Sequence, residues 1–268
     1  MSIELEAWIA GIGVLAPGLA DWPTARAVLA GERPYEAAPT VLPAPAILPP
    51  AERRRASRLV RLALAVGMEA VTHAGADAAT LTTVFSASCG DGHNCHALCE
   101  TLASDDRQVS PTRFHNSVHN TAAGYWGIAT GAMAPCQVLC AYDASFGAGL
   151  IEAAVQVATA QTPVLLIAYD AEYPDPISAV RPTRDAAGVA LLLTPQRSDQ
   201  SVAELRLQLA DGPAATLADP ALEALRKNIP ALRALPLLER IARGDATAVG
   251  IDYLDPLRLQ LAVQPCRP

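Results

Sequence analysis

The chain reads as a layered α/β domain, and three features carry that reading. An apolar strand at 136–141, a helix of small residues at 144–160 and a second apolar strand at 163–169 follow at the spacing of a right-handed crossover between parallel strands. Short apolar runs such as Val164-Leu165-Leu166-Ile167-Ala168 alternate with segments of helical periodicity along the whole length. The 268 residues, 51% hydrophobic and 18% charged, suffice for one substantial core, so 1–268 is read as a single domain.

In chain order, residues 7–16 read as a strand interrupted by Gly11 and Gly13, and Pro17-Gly18 turns the chain. A short helix follows over 22–30. Residues 34–50 carry Pro34, Pro39, Pro43, Pro45, Pro49 and Pro50, a density that excludes a helix or central strand and predicts an extended surface loop. From 51 to 74 there is no proline, and Leu59, Leu62, Val66 and Ala70 recur at helical spacing, which predicts one long helix. The β-branched run 82–88 predicts a strand ending in the turn Cys89-Gly90-Asp91-Gly92, with a helix over 93–102. Beyond the crossover, 189–193 adds a strand. The last third predicts a strand near 202–209, helices between 222 and 242, and strands near 248–253 and 257–263.

A net charge of −7 and a pI near 5.2 disfavour nucleic acid, whose phosphates demand a basic face. Apolar runs fall far short of the roughly 18 to 20 residues of a membrane span, so no membrane partner is expected. The amino end, Met1-Ser2-Ile3-Glu4-Leu5-Glu6, lacks the basic region and apolar stretch of a signal peptide, and a cytoplasmic location is expected. Six cysteines in this length are too sparse for a disulfide framework.

The stretch Val109-Ser110-Pro111-Thr112-Arg113-Phe114-His115-Asn116-Ser117-Val118-His119-Asn120-Thr121-Ala122-Ala123-Gly124 resembles the ketosynthase segment in which an Asn-Ser pair is followed by Asn and Ala-Gly. Further on, where ketosynthases have a strand, Thr-Ala-Cys-Ala-Ser and a helix of small residues, this chain has Ala141-Tyr142-Asp143-Ala144-Ser145-Phe146-Gly147. Ile9-Ala10-Gly11-Ile12-Gly13-Val14 resembles the first strand of those enzymes. Arg181-Pro182 with Ala187-Gly188-Val189-Ala190-Leu191-Leu192 resembles a shortened form of the strand that closes their amino half. The chain is therefore similar to the β-ketoacyl synthase N-terminal domain family, over residues 5–195. More narrowly, Phe85-Ser86-Ala87 with Gly90-Asp91-Gly92, Ser110-Pro111 and Ser117-Val118-His119-Asn120 is similar to short chain length factors of aryl polyene and xanthomonadin-type pigment pathways.

The resemblance implies a thiolase-like layered fold (α-β-α-β-α), its amino half (1–195) nearly complete and its carboxyl half (196–268) truncated. It implies an active ketosynthase as heterodimer partner and an acyl carrier protein as the source of chains, with no cofactor and no metal. Ketosynthases bring the matched segment to their dimer interface, so Phe114, His115, Asn116, His119 and Asn120 are assigned to the partner interface or acyl tunnel. Tyr125, Trp126, Met133 and Phe146 join them as bulky residues near that interface or tunnel, the alternative for each being a place in the core. Arg53, Arg54 and Arg55, followed by Arg58 and Arg61, offer a basic face to an acidic carrier, the plainer reading being a solvated helix face.

The chemistry of the residues bears on activity separately. A condensing enzyme needs a thiolate at a helix amino terminus, where backbone N–H groups and the dipole lower its pKa. Asp143, at the corresponding place, offers a carboxylate; its attack on a thioester would give a mixed anhydride, whereas aspartate is among the best helix caps, and a cap is expected. The active enzymes also use two histidines, or a histidine and an asparagine, from their carboxyl half. Here His73, His93, His96, His115 and His119 are followed by none. Cys136 and Cys140 fall inside a predicted strand and are expected to be inert core thiols. Cys89, His93, Cys95, His96 and Cys99 match no standard zinc spacing and are expected to start a helix. Asp143-Ala144-Ser145-Phe146-Gly147 lacks the first glycine of a hydrolase elbow, and no histidine follows Ser145.

The expected function is a non-catalytic, chain-length-factor-like subunit of a ketosynthase. The alternatives are a stand-alone acyl or malonyl carrier-protein decarboxylase or hydrolase using Asp143 with His119, and a homodimeric binding protein for acyl carriers.

Overall fold

A computed structural model describes residues 4–266. The amino-terminal reading at Met1-Ser2-Ile3 lies outside the described residues. The chain opens on a long strand, β1 (Leu5–Leu15), followed by α1 (Trp22–Leu29), which Asp21 caps by accepting from Thr24 N at 2.7 Å. The proline-rich stretch is a loop, as its composition predicts. The long helix expected over 51–74 is two: a short basic helix α2 (Pro50–Arg55) and α3 (Arg58–Ala74). Ala56 is extended, and the Ser57 hydroxyl accepts from Val60 N, so a new helix start interrupts an uninterrupted apolar pattern.

Gly11 and Gly13 do not break β1; they bring α3 onto it. A Cβ on Gly13 would lie 2.0 Å from the Val66 carbonyl oxygen, and one on Gly11 2.1 Å from that of Ala70. A bulge between Ile9 and Gly11 switches the strand's parity, so Ile9, Ile12 and Val14 all enter one core while Ala10 and Leu15 enter the other. Glu69 of α3 accepts from Val14 N at 2.8 Å and Trp22 N at 2.6 Å, tying strand, turn and helix together.

The chain continues through β2 (Thr82–Ser86), α4 (Gly92–Ala103), α5 (Pro111–His115), α6 (Thr121–Thr130), β3 (Cys136–Leu139), α7 (Ser145–Ala160), β4 (Val164–Asp170) and β5 (Ala187–Thr194). Then come β6 (Ala203–Asp211), α8 (Pro220–Asn228), a 3₁₀ turn at Pro230–Ala234, α9 (Leu235–Arg243), β7 (Thr247–Asp252) and β8 (Leu257–Pro265). The described strands form one mixed eight-stranded sheet in the order β3-β2-β4-β5-β1-β6-β8-β7. β3, β2 and β4 run parallel, and the predicted crossover from β3 through α7 to β4 steps over β2. The remaining neighbours pair antiparallel.

Burial follows the coverings. β4 is buried throughout and β5 up to its last residue, Thr194, because helices cover both of their faces: α7 on one, α3 and α6 on the other. β6 and β8 alternate instead; Leu205, Leu207, Leu259 and Leu261 join the same core as Phe146 and Leu150 of α7, while Arg206 and Ala262 face water. At the opposite end β3 pairs only with β2, and its outer edge is open. The expected buried strand at 136–141 is corrected here: Cys136 and Gln137 are exposed, and Val138 and Leu139 half-buried, because among the described residues no strand lies beyond the edge.

Candidate functional site

The parallel strands β3, β2 and β4 deliver three loops to one edge of the sheet, outside their carboxyl ends, where ligands of open α/β sheets bind. The loops are Ala87 to Gly90, Cys140 to Ala144 and Ala171 to Arg181, and α7 starts among them. Ser145 organises that start. Its hydroxyl accepts from Ala141 N at 3.0 Å and lies 2.7 Å from the Tyr142 carbonyl, while Ser86 Oγ donates to the Ser145 carbonyl at 2.6 Å. With Ser145 1% exposed and its hydroxyl committed to backbone, the hydrolase-like placement has no accessible nucleophile.

Asp143 sits at the predicted place but does not cap α7. Residues Tyr142–Ala144 form a 3₁₀ turn, and the Asp143 carboxylate points outward, where Oδ1 accepts from Arg181 Nη1 at 2.8 Å. The Arg181 guanidinium also lies 3.8 Å from the centre of the Tyr142 ring, a cation–π stack. Burial is the largest single influence on Arg181 and opposes its charge, but the Asp143 hydrogen bond and charge, with Tyr142 and Tyr173, together raise the guanidinium pKa. Tyr142 itself has φ +51°, a left-handed conformation that a bulky side chain seldom adopts.

Sequence reasoning missed Asp170, the most deeply placed ionisable group of this edge. It ends β4 at 4% exposure, accepting from Ser88 N and Ala231 N, each at 2.8 Å. Burial pushes its carboxyl up to about 6, against the opposing hydrogen bonds from Ser88 and Ala231. Ser88 Oγ lies 3.1 Å from Tyr173 Oη, extending the network towards the third loop. The available signal was an acidic residue closing the wholly apolar run Val164-Leu165-Leu166-Ile167-Ala168-Tyr169.

The residues assigned to an interface divide. Phe114 (70% exposed), His115, His119 and Asn120 lie at the surface of α5 and the turn into α6, and Met133 is 94% exposed. Phe114, Val118, Tyr125 and Ile128 line a groove of about 500 Å³ there. Asn116 is buried: its amide donates to the Arg55 carbonyl at 2.9 Å and its oxygen accepts from Tyr125 Oη at 3.4 Å. Of the two readings for Trp126 and Phe146 the structure takes the core one, Trp126 edge-on to Phe85 at 6.2 Å and Phe146 in the cluster on the α7 face. Tyr125 is 1% exposed and contributes a ring wall to the groove.

Cys136 and Cys140, expected in the core, are exposed on the β3 side. Cys89, His93, Cys95, His96 and Cys99 do surround the start of α4, capped by Asp91 through Asn94 N at 2.9 Å. Among the described residues no three His, Cys, Asp or Glu side chains converge as metal ligands. Most of the basic run is bonded within the chain: Arg53 to the Ala46 and Leu48 carbonyls, Arg55 to Glu52, Arg58 to Glu172, and Arg61 to the Leu42 carbonyl. His119 Nε2 lies 3.5 Å from the Val138 carbonyl oxygen, so the imidazole turns to β3 while Asp143 is held by Arg181.

Residues 26–247 match the family model described as beta-ketoacyl synthase, N-terminal domain. A search of curated protein sequences gives no match. Solved structures with the same fold include a ketosynthase (ApeO) in complex with its chain length factor (ApeC) from Xenorhabdus doucetiae, with TM-score 0.72 and 23% identity over 96% of this chain and 99% of that one. The ishigamide ketosynthase/chain length factor aligns with TM-score 0.73 and 14% identity, covering 98% of this chain and 100% of that one. A type II polyketide synthase acyl carrier protein in complex with its ketosynthase aligns with TM-score 0.76 and 9% identity, again over 98% and 100%. At these identities the likeness is one of fold. Among the described residues no helix is long and apolar enough to cross a membrane.

Proposed function

Because this chain belongs to the beta-ketoacyl synthase family through its N-terminal domain, we propose that it is a chain-length-factor-like subunit that does not condense acyl groups itself and pairs with an active ketosynthase. One observation carries the proposal. Where the family's nucleophilic cysteine is expected stands Asp143, its carboxylate engaged by Arg181 at 2.8 Å. A carboxylate held by a guanidinium is a poor nucleophile, and the mixed anhydride it would form is a poor acyl store. No histidine follows His119 to polarise a malonyl thioester.

The open edge of β3 and the exposed Phe114, Val118 and Ile128 supply the pairing surface, since a free strand edge and a contiguous apolar patch are both features that a partner covers. In the pair, the ketosynthase performs acyl transfer and decarboxylative condensation. This subunit closes the far wall of its tunnel and sets how long a carrier-bound chain grows, in pathways of the fatty-acid or aryl polyene type. The stand-alone hydrolase or decarboxylase reading lacks its base, because Asp143 and His119 are directed to different partners.

The test is co-expression with the full-length ketosynthase encoded nearest to it, followed by size exclusion and elongation from malonyl carrier protein. A 1:1 complex, with elongation only when both subunits are present, is the expected result. A ketosynthase that elongates alone and never co-elutes with this chain sinks the proposal.

A further inference from the structure

The turn that stands at the nucleophile's place holds an aromatic side chain in a costly conformation and leaves most of it in solvent. Tyr142 is 60% exposed, although it lies between the half-buried end of β3 and the buried start of α7. Its φ of +51° belongs to the left-handed region, where a bulky residue persists only when its surroundings impose it. Those surroundings are on the page. The Ser145 hydroxyl reaches both the Tyr142 carbonyl and Ala141 N, fixing the backbone of the turn. The Arg181 guanidinium, from the loop after β4, sits over the ring at 3.8 Å and is itself anchored by Asp143 at 2.8 Å. The ring is thereby braced by a guanidinium while most of it stays exposed.

Resting on the pairing proposed above, we infer that Tyr142 is a pre-set anchor for the ketosynthase, inserted into an apolar pocket of that partner, and that Asp143 and Arg181 are its positioning residues. The location favours this occupant. Tyr142 lies three residues beyond the end of β3, whose outer edge is open, so a partner that covers the edge arrives near the ring. An immobilised tyrosine loses little conformational freedom on docking, which is why rigid aromatic anchors dominate interface energies. The ion pair at the nucleophile's place thus acquires a use: Asp143 holds Arg181, and Arg181 holds the ring.

The experiment measures the dissociation constant of the purified pair, by titration of the ketosynthase, for the wild type and four variants. Tyr142→Gly removes the ring while accepting the left-handed backbone, and is expected to weaken binding by about 30-fold. Tyr142→Phe keeps the anchor and is expected to bind within about 3-fold of the wild type, and Arg181→Ala and Asp143→Asn to weaken binding by about 3- to 10-fold through a mobile ring. Thermal melts of each variant establish that the fold is kept. Unchanged binding by Tyr142→Gly overturns the anchor and leaves the pairing standing. Intact binding with lost elongation also overturns it, and assigns the ring to the acyl chain or carrier arm. A wild-type chain that never binds the ketosynthase overturns pairing and anchor together.

Discussion

Replacing Asp170 with asparagine tests the account of the sheet edge most directly, because one buried carboxylate joins three segments there. Its two oxygens accept from Ser88 N after β2 and from Ala231 N in the 3₁₀ turn before α9, each at 2.8 Å. Asparagine keeps one acceptor oxygen and turns an NH₂ group towards the other N–H, leaving a buried donor without an acceptor at a cost of about 1–3 kcal/mol. The charge acts in the opposite direction. Burial raises the carboxyl from 3.8 to about 6, so the folded chain binds this proton more tightly than the unfolded chain does. Stability attributable to the group is therefore full below the unfolded value near 3.8 and falls as pH rises through 6, by about 3 kcal/mol in all. The variant lacks that dependence. Urea unfolding of both chains at pH 4, 5, 6 and 7 should show the stability difference moving by about 2.4 kcal/mol in favour of Asp170→Asn between pH 4 and 7. A difference that stays constant across this range would refute the argument that Asp170 titrates from a desolvated site.

Three further outcomes test other parts of the structure. Gly13→Ala places a Cβ 2.0 Å from the Val66 carbonyl, so α3 must back away from β1; a loss of about 1–3 kcal/mol is expected in denaturant unfolding, and an unchanged midpoint would contradict the close packing of helix on strand. Arg226 is 4% exposed, bonded to Glu223 at 2.8 Å and to Asp252, so Arg226→Ala leaves Glu223 with Lys227 alone and Asp252 with Arg233 alone and should cost about 1.5–3 kcal/mol by the same measurement. Cys136, exposed at the open edge of β3, should react readily with a maleimide in the isolated chain and become protected in the complex with the ketosynthase, as read by peptide mass mapping. Equal labelling in both states would place the partner elsewhere.

What could be read from the sequence is what local pattern encodes. The crossover strands, the helix at Ser145–Ala160 and the proline-rich loop announce themselves through runs of a few residues, and the structure keeps them with ends shifted by one or two positions. Where the pattern is silent or ambiguous, the reading drifted. Thr121–Thr130 is apolar or small almost all round, with two glycines, so no stripe of alternating character marks it as a helix. The strand at Cys136–Leu139 looks like a core strand by composition, and only its position at the end of the sheet exposes it. Burial is a property of what lies beside a segment, which one strand's composition does not contain.

The error at Asp143 has the same origin and bears most on function. An aspartate just before a run of small residues satisfies every local criterion for a cap, and the partner that overrides the cap is Arg181, 38 residues further on. Parallel pairing of β3, β2 and β4 is what brings their following loops together, so the ion pair exists only once the sheet has formed. Both carboxylates of this edge depend on that assembly in opposite ways. Asp143 stays at the surface in an ion pair with Arg181, whereas Asp170 is buried among backbone donors and its proton is held more tightly. The edge keeps its helix start and its loops, yet ties its exposed carboxylate to an arginine and its buried one to backbone N–H groups, so each carboxylate is committed to a partner that only the assembled sheet supplies.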